Sequence, residues 1–326
     1  MARRLLTRRR ALTITAAAAG SFALGSGGSA GPMYEWQGRA LGAEGTILID
    51  GIDPHLAGRL VGLALGEIER LERIFSLYRP DSEVSRLNIS GRLDRPSHDM
   101  RVLLDRSLSY WSATDGAFNP AVQPLWQFLS RHFAADPSAG DPDADMLGET
   151  ARLCDAGRIS VAADCIRLAP GMALTFNGIA QGYITDAVAD LMRAEGLEHV
   201  LVQLGELRAL PGRAWRVAIG GSEHEAALVD GALATSEPAG TPLSADSRWH
   251  HLIDPRTGHS GSGLASASVA ASRACLADAL STAVAVSGER AIPSVARAFP
   301  GTVILAQRSD GTTISAGGGE TDFIRS

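Results

Sequence analysis

The stretch TFNGIAQGYITD, residues 175–186, places Gly178 and Gly182 four residues apart at the start of a segment with helical periodicity. The apolar residues of that segment share one helical face: Ile184, Val188, Leu191 and Met192. Gly196 lies where such a helix would end. Glycines at a helix start let a ligand approach free main-chain N–H groups, but close packing against a second helix would require them equally. We therefore predict a helix here and leave both interpretations open.

The rest of the chain alternates irregularly between helical and β-rich segments. Residues 54–78 have apolar positions at helical intervals, Leu56, Leu60, Leu63, Ile68, Leu71 and Phe75. We predict further helices at 100–116, 118–133 and 275–288, and a polar loop at 79–88. Residues 38–51 are expected to form a strand and a turn, and residues 159–176 and 301–318 are each expected to form a hairpin. Further short β-rich runs are spread over 199–237 and 264–272. This pattern predicts an α+β fold, in which helices pack on mixed sheets.

The first thirty residues are typical of a signal peptide, because arginines precede an uncharged run rich in Ala, Gly and Ser. TRRRALT, residues 7–13, resembles the twin-arginine export signature, and an ordinary Sec signal is the alternative. No cysteine follows for lipid attachment. We expect a periplasmic mature domain over 31–326, with a possible division into two lobes near 135–150. No internal run reaches the roughly 18 apolar residues of a membrane-spanning helix.

The numbers and types of charged residues exclude several classes of protein function. Removing residues 1–30 takes away five arginines and no acid, which changes the formal net charge from −6 to −11. Such an acidic chain is a poor partner for nucleic acid, and it binds a phosphorylated ligand only at a cost unless a cation intervenes. All thirty basic residues are arginine. A Walker-type phosphate loop, a Schiff-base enzyme and a pyridoxal-phosphate enzyme are excluded, because each needs a lysine amine.

The cysteines show neither zinc-site spacing nor a disulfide framework. They number three, Cys154, Cys165 and Cys275. A bridge between Cys154 and Cys165 is conceivable in an oxidising compartment, and three small buried thiols are the alternative.

Two short motifs have side chains suited to chemistry. In ADALST, Asp278, Ser281 and Thr282 share one helical face, and such oxygen donors suit Mg²⁺ in a site completed by phosphates. A solvated Asp278 beside hydroxyls bonded to their own helix is the alternative. In HHLIDPRTG, His250 and His251 precede a compact polar turn, where a histidine could act as a general base or simply lie exposed.

Five motifs taken together resemble the ApbE family, the FAD:protein FMN transferases, in order over nearly the whole mature chain. They are FSLYRPDSEVSRLN, TDGAFNPAVQPLW, LTFNGIAQGYITD, HLIDPRTG and ADALSTAVAVSG. The resemblance implies an ApbE-like, T-fold-like architecture and a periplasmic enzyme that uses Mg²⁺. Its implied reaction cleaves FAD, attaches FMN through a phosphoester to a threonine of an acceptor flavoprotein, and releases AMP.

The resemblance also implies roles for individual residues. Metal ligands would be the main-chain oxygen of Gly178 with Asp278, Ser281 and Thr282, and His251 would activate the acceptor threonine. Arg256 and the amides near Gly178 to Gly182 would share the remaining charge of the pyrophosphate. Flavin contacts would fall on Tyr78, Ala117, Phe118, Asn119, Thr175, Gln181 and Leu252.

The chain departs from the family pattern at three positions. Glu44 replaces a common methionine, and Thr175 and Gln181 replace an Asp and a Lys found in many members, which removes one charge of each sign. The form NGIAQGYITD is similar to that of the NosX-like branch, for which a membrane-bound, NosR-like acceptor would be implied. A Mg²⁺-dependent FAD pyrophosphatase and a non-catalytic flavin-binding module are the alternatives that the sequence leaves open.

Overall fold

The computed structural model describes residues 32–40, 43–220, 225–261, 263–318 and 324–325. The predicted signal peptide, residues 1–30, lies outside the described residues. No helix within these ranges is both long enough and apolar enough to cross a membrane.

Eight α-helices occur in the described ranges. In chain order they are α1 (Pro54–Phe75), α2 (Glu83–Ser90), α3 (His98–Ala113), α4 (Gln123–Ala135), α5 (Ala144–Ala151), α6 (Ala180–Ala194), α7 (Ala274–Ser287) and α8 (Ile292–Ala298). The helix predicted from the glycine-containing stretch is α6, and Gly196, with φ +83°, ends it in the left-handed conformation. Helices were also expected where α1, α3, α4 and α7 lie, and all four predictions are confirmed.

The strands of the described residues belong to three sheets. They are β1 (Met33–Ala40), β2 (Ala43–Asp50), β3 (Arg92–Asp94), β4 (Ser160–Val161), β5 (Cys165–Arg167), β6 (Val200–Gln203), β7 (Leu207–Ala209), β8 (Trp215–Ala218), β9 (Glu225–Leu228), β10 (Ala232–Ser236), β11 (Leu264–Ala271), β12 (Val303–Arg308), β13 (Thr313–Gly317) and β14 (Ile324–Arg325). The largest sheet has the antiparallel order β1-β2-β6-β7-β10-β11-β12-β13. With helices packed on it, this sheet confirms the predicted α+β class.

The two faces of the large sheet bury different partners, because successive side chains along a strand point to opposite faces. Ile47 and Ile49 of β2 join the core that α1, α6 and α7 cover. Leu48, between them, joins a second core with Trp215 and Val217 of the small β14-β9-β8 sheet. The large sheet is therefore the middle layer, and helices α6 and α7 pack on one of its faces.

Three expectations about local structure were wrong. Residues 83–90 form helix α2 instead of a polar loop, because the Ser82 side chain caps its N-terminus and Val84 and Leu87 are buried. Residues 38–51 belong to a hairpin of two strands, β1 and β2, instead of one. Leu56 and Leu63 of α1 are exposed, because the core-facing stripe follows Ala57, Leu60, Val61 and Ala64.

The remaining local expectations have mixed outcomes. Antiparallel pairing confirms the hairpins predicted at 159–176 and 301–318. All three cysteines are buried free thiols, so Cys154 and Cys165 are not bridged. The proposed division into lobes near 135–150 stays a prediction.

Candidate functional site

A cavity that opens to solvent lies at the start of α6 and beside α7. We call it the main cavity. Its wall is formed by the loop after α3, the start of α4, the turn before α6, the β6–β7 turn, the end of β10 and the segment 251–253. Its lining combines apolar side chains with a few polar groups that converge on one space, which is typical of small-molecule and cofactor sites.

The main cavity brings together most of the residues predicted for flavin and metal binding. These residues come from four separate segments of the chain: Ala117, Phe118, Asn119, Thr175, Gly178, Gln181, His251, Leu252, Asp278 and Thr282. Their convergence depends on tertiary packing, because residues 117 and 282 are far apart in sequence.

Two of the residues predicted for flavin or metal binding do not line the main cavity. Tyr78 is 44% exposed and lines a neighbouring depression, which shares Gln123, Trp126 and Asn177 with the main cavity. Ser281 is fully buried, with its hydroxyl oxygen 2.8 Å from Ser236 Oγ and donating to the Asp278 carbonyl at 3.0 Å. The Ser281 hydroxyl therefore braces β10 against α7, and this placement does not favour its predicted role as a metal ligand.

Asp278 is the most strongly constrained acid of the main cavity. Its side chain is 4% exposed, and Oδ2 accepts a hydrogen bond from the Gly182 amide at 3.0 Å. Burial raises the pKa of this carboxyl, and the charge of Asp186 raises it further, while the Gly182 hydrogen bond opposes both. A buried carboxylate in this setting gains from any cation that enters the cavity.

The two glycines of the opening stretch, Gly178 and Gly182, have different structural roles. A Cβ on Gly182 would lie 2.4 Å from the Ala274 carbonyl oxygen, so Gly182 permits close contact between α6 and α7. A Cβ on Gly178 would lie 3.0 Å from Thr282 Oγ1 on the cavity wall. The helix-packing interpretation is therefore correct for Gly182, whereas the expectation that a ligand approaches the main chain survives only at Gly178.

The N-terminus of α7 is held by a carboxylate from α6. Asp186 accepts hydrogen bonds from the amides of Ala274 at 2.9 Å and Cys275 at 3.0 Å, and it pairs with the guanidinium groups of Arg208 and Arg273. Helix α7 has no side-chain cap of its own. Asp186 therefore fixes the helix on which Asp278 and Thr282 lie.

Glu206 is a cavity residue that the sequence-based prediction missed. It is 6% exposed and follows Gly205 in the turn between β6 and β7. Burial raises its pKa well above the ordinary value, the charge of Asp278 adds to this, and a hydrogen bond from the Thr235 backbone opposes it. An available signal was the glutamate inside the largely apolar, β-rich run LVQLGELRAL.

The donor set fits a hard divalent cation. Glu206, Glu237 and Asp278 line the main cavity, and none of the described lining residues is an arginine. Thr282 adds a hydroxyl beside the backbone of Gly178. Carboxylate, hydroxyl and carbonyl oxygens are what Mg²⁺ prefers, and the buried negative charge has no protein cation within the described cavity wall.

The paired histidines have different surroundings. His250 is buried, and its Nε2 lies 2.8 Å from the Gly261 carbonyl oxygen. His251 lines the main cavity, and its Nδ1 is buried without a hydrogen-bond partner among the described residues. Burial, followed by the neighbouring His250, lowers the pKa of His251 to about 4. Its imidazole is therefore neutral near pH 7 and able to accept a proton.

The structure does not favour the groups that were expected to compensate the remaining charge of the pyrophosphate. Arg256 makes a two-point ion pair with Asp254, through Nε at 2.8 Å and Nη2 at 2.7 Å, and it does not line the main cavity. The Gly182 amide is already bonded to Asp278. These contacts do not favour the expectation for Arg256 and Gly182, because both groups are already engaged by carboxylates of the protein.

Comparison with known proteins gives the same family from sequence and structure. The profile of the ApbE family matches residues 46–305. The chain is 30% identical to the FAD:protein FMN transferase of Treponema pallidum, over 79% of each protein. It is 28% identical to the FAD:protein FMN transferase of Escherichia coli K12, over 80% of each.

Solved structures share the fold over nearly their full length. The flavinyl transferase ApbE of Pseudomonas stutzeri, in its apo form, superposes with a TM-score of 0.75 at 25% identity, covering 88% of this chain and 96% of that one. The ApbE protein of Thermotoga maritima superposes with a TM-score of 0.77 at 23% identity, covering 87% and 97%.

Proposed function

Because the chain belongs to the ApbE family, we propose that it transfers FMN from FAD to a threonine of an acceptor flavoprotein, forming a phosphoester bond and releasing AMP. The observation that carries this proposal is the convergence of a neutral histidine, His251, with the buried carboxyl of Asp278 and the Thr282 hydroxyl on one cavity wall. The proposed general base and the groups proposed to bind the cation therefore face the same cavity.

The protein side chains divide the work of the proposed reaction. His251 takes the proton of the acceptor threonine, and the threonine oxygen attacks the phosphorus on the FMN side of the pyrophosphate. The bond from that phosphorus to the bridging oxygen breaks, and AMP leaves with the bridging oxygen. The apolar and amide groups of Phe118, Asn119 and Leu252 would hold the flavin part of the substrate in line.

The proposed metal is Mg²⁺, held by Asp278, Thr282 and the main-chain oxygen of Gly178. When bound, Mg²⁺ would offset the charge of the pyrophosphate and polarise the phosphoryl group whose phosphorus the threonine oxygen attacks. Asp278 keeps its orientation through the Gly182 amide, and Thr282 is kept in place by α7. The acidity and lack of lysine of this chain are consistent with charge compensation by a cation.

The proposed location is the periplasm, reached by the twin-arginine route. The support is the run of arginines and the uncharged segment in residues 1–30. The acceptor that we propose is a NosR-like membrane flavoprotein with a periplasmic Ser/Thr flavinylation motif. The support is the similarity of the NGIAQGYITD stretch to the form found in the NosX-like branch.

Mass spectrometry of an acceptor tests the function directly. The mature chain is incubated with FAD, Mg²⁺ and a periplasmic acceptor domain, with a Thr→Val acceptor as the control. We expect the acceptor threonine to gain one FMN less one water, with one AMP released per FMN attached. Release of free FMN and AMP with every acceptor would instead show a pyrophosphatase, and FAD that stays intact would show a binding module.

A further inference from the structure

Two of the four buried carboxyl groups in the described part of the chain face the main cavity, and these two have no arginine partner. Elsewhere, buried Asp186 lies 3.3 Å from Arg273 and 3.6 Å from Arg208, and buried Asp50 lies 2.6 Å from Arg213. Glu206 and Asp278 are buried to a similar degree, and neither has an ion pair among the described residues. Since burying a carboxylate without a cation is costly, this pair calls for an external positive charge or a retained proton.

The backbone holds Glu206 at the cavity wall. Gly205 has φ +99°, and the Leu204 amide donates to the Glu206 carbonyl at 3.1 Å, which closes the turn between β6 and β7. A Cβ on Gly205 would lie 2.5 Å from the Gln181 side chain, so the turn packs directly on the first turn of α6. The turn, α6 and α7 therefore meet where Glu206 and Asp278 line the cavity.

The charge of Asp278 reaches Glu206, since it contributes to the raised pKa of the Glu206 carboxyl. The Thr235 backbone amide donates to Glu206 and occupies only part of its acceptor capacity. Glu206, Asp278 and Thr282 line the same cavity. A carboxylate in this position can bind a hard cation together with Asp278.

We propose that Glu206 supplies a second carboxylate to the divalent cation bound by Asp278, either by direct contact or through one water. This inference rests on the proposed function, because it assumes the Mg²⁺ of the flavin transfer reaction. Two carboxylates would compensate both charges of the cation before substrate arrives, and they would hold it at the α6–α7 end of the cavity.

The substitution Glu206→Gln separates this role from that of a buried neutral acid. Gln has the shape of the protonated glutamic acid and keeps an oxygen for the Thr235 amide, but it cannot carry the charge. Mn²⁺ is the probe, because the electron paramagnetic resonance signal of the free ion reports its binding without turnover. Titrations use the mature chain with FAD and no acceptor. Asp278→Asn is the positive control, and Glu149→Gln, on the exposed face of α5, is the matched charge control.

We expect Glu206→Gln to weaken Mn²⁺ binding by roughly 10- to 100-fold, in the range seen when groups supporting a metal site are removed. Asp278→Asn should weaken it at least as much, and Glu149→Gln should bind like the wild type. If Glu206→Gln does not fold, Glu206→Asp keeps the charge one methylene further back and should bind Mn²⁺ several-fold more weakly than the wild type.

Failure of this inference is distinguishable from failure of the proposed function. The role of Glu206 alone would be overturned if Asp278→Asn lost Mn²⁺ binding while Glu206→Gln bound Mn²⁺ like the wild type. Where Glu206→Asp is used instead, wild-type binding by that variant would have the same meaning. A wild-type protein that binds no Mn²⁺ with FAD would overturn both. Wild-type binding in Glu206→Gln and Asp278→Asn alike would place the cation away from this pair and overturn the inference too.

Discussion

His251 shows how burial sets the chemistry of a single residue in this protein. Its imidazole lines the main cavity, and burial together with His250 lowers its pKa to about 4. A histidine with this pKa is neutral at the pH of most bacterial compartments, so it can accept the proton of a threonine hydroxyl. The residue before it, His250, is tied to the Gly261 carbonyl instead.

Replacing His251 should separate catalysis from binding. We expect His251→Ala to lower the rate of FMN transfer by about 10²- to 10⁴-fold, the range for loss of a general base, with a much smaller change in FAD affinity. Single-turnover kinetics and flavin fluorescence measure the two quantities. Equal losses in rate and affinity would identify His251 as a binding residue.

The lowered pKa of His251 also predicts the pH dependence of stability. An unfolded histidine takes up its proton near pH 6.5, whereas folded His251 does so only near pH 4. Its contribution is therefore complete above pH 6.5 and is lost as the pH falls towards 4. We expect the wild type to lose on the order of 2 kcal/mol more unfolding free energy than His251→Gln between pH 7 and pH 4.

Urea titrations at several pH values measure this difference, and His55→Gln, an exposed histidine at the start of α1, is the control. The control should lose stability in parallel with the wild type. Parallel curves for His251→Gln and the wild type would contradict the lowered pKa of His251.

Helices α6 and α7 act together as the rigid support of the site. Gly182 allows α6 to approach the start of α7, its amide binds Asp278, and Asp186 one turn later caps α7. Each of these contacts fixes the position of the face that presents Asp278 and Thr282 to the cavity. The accuracy of the site therefore depends on the spacing between two helices.

A methyl group at Gly182 should disturb this spacing. A Cβ there would lie 2.4 Å from the Ala274 carbonyl oxygen, and relieving such an overlap costs about 1–3 kcal/mol. Gly66→Ala, in the middle of α1 with no atom within 4 Å of the new Cβ, should instead stabilise by roughly 0.5–1 kcal/mol. Chemical denaturation compares the two variants. Equal stabilisation by both would show that α6 and α7 are less closely packed.

At the scale of elements, the sequence predicted what depends on local periodicity. The i and i+4 spacing placed Asp278 and Thr282 on one face of α7, and both line the cavity. The same spacing argument could not show that Ser281 would be covered by Ser236, because β10 comes from a distant part of the chain. Glu206 was missed for the same reason, since only the packing of the β6–β7 turn on α6 brings it to the cavity.

At the scale of the whole molecule, the α+β class was predictable, but the strand order was not. Alternating burial in β2 and helical periodicity in α1 and α6 are local signals. Pairing of β2 with β6, and of β7 with β10, joins segments separated by long connections. That pairing places the segments of the cavity together, and no short-range pattern specifies it.

Residues 1–30 are proposed to direct export of the whole chain. Substituting Arg8, Arg9 and Arg10 with lysine keeps the positive charge but removes the twin arginines of the proposed signal. We expect the variant protein to accumulate in the cytoplasm, whereas the wild type is recovered from the periplasm. Cell fractionation and immunoblotting measure the distribution. Unimpaired export of the lysine variant would favour the Sec route instead.

The proposed reaction requires α7 to hold a divalent cation against the pyrophosphate of FAD inside the main cavity. A crystal structure of the mature chain with FAD and Mn²⁺ can show this, because Mn²⁺ is located by its anomalous scattering. We expect one anomalous peak in contact with the Asp278 carboxylate, the Thr282 hydroxyl and a phosphate oxygen of FAD. A pyrophosphate bound away from residues 278–282, or a cation bound elsewhere, would rule out this role of α7.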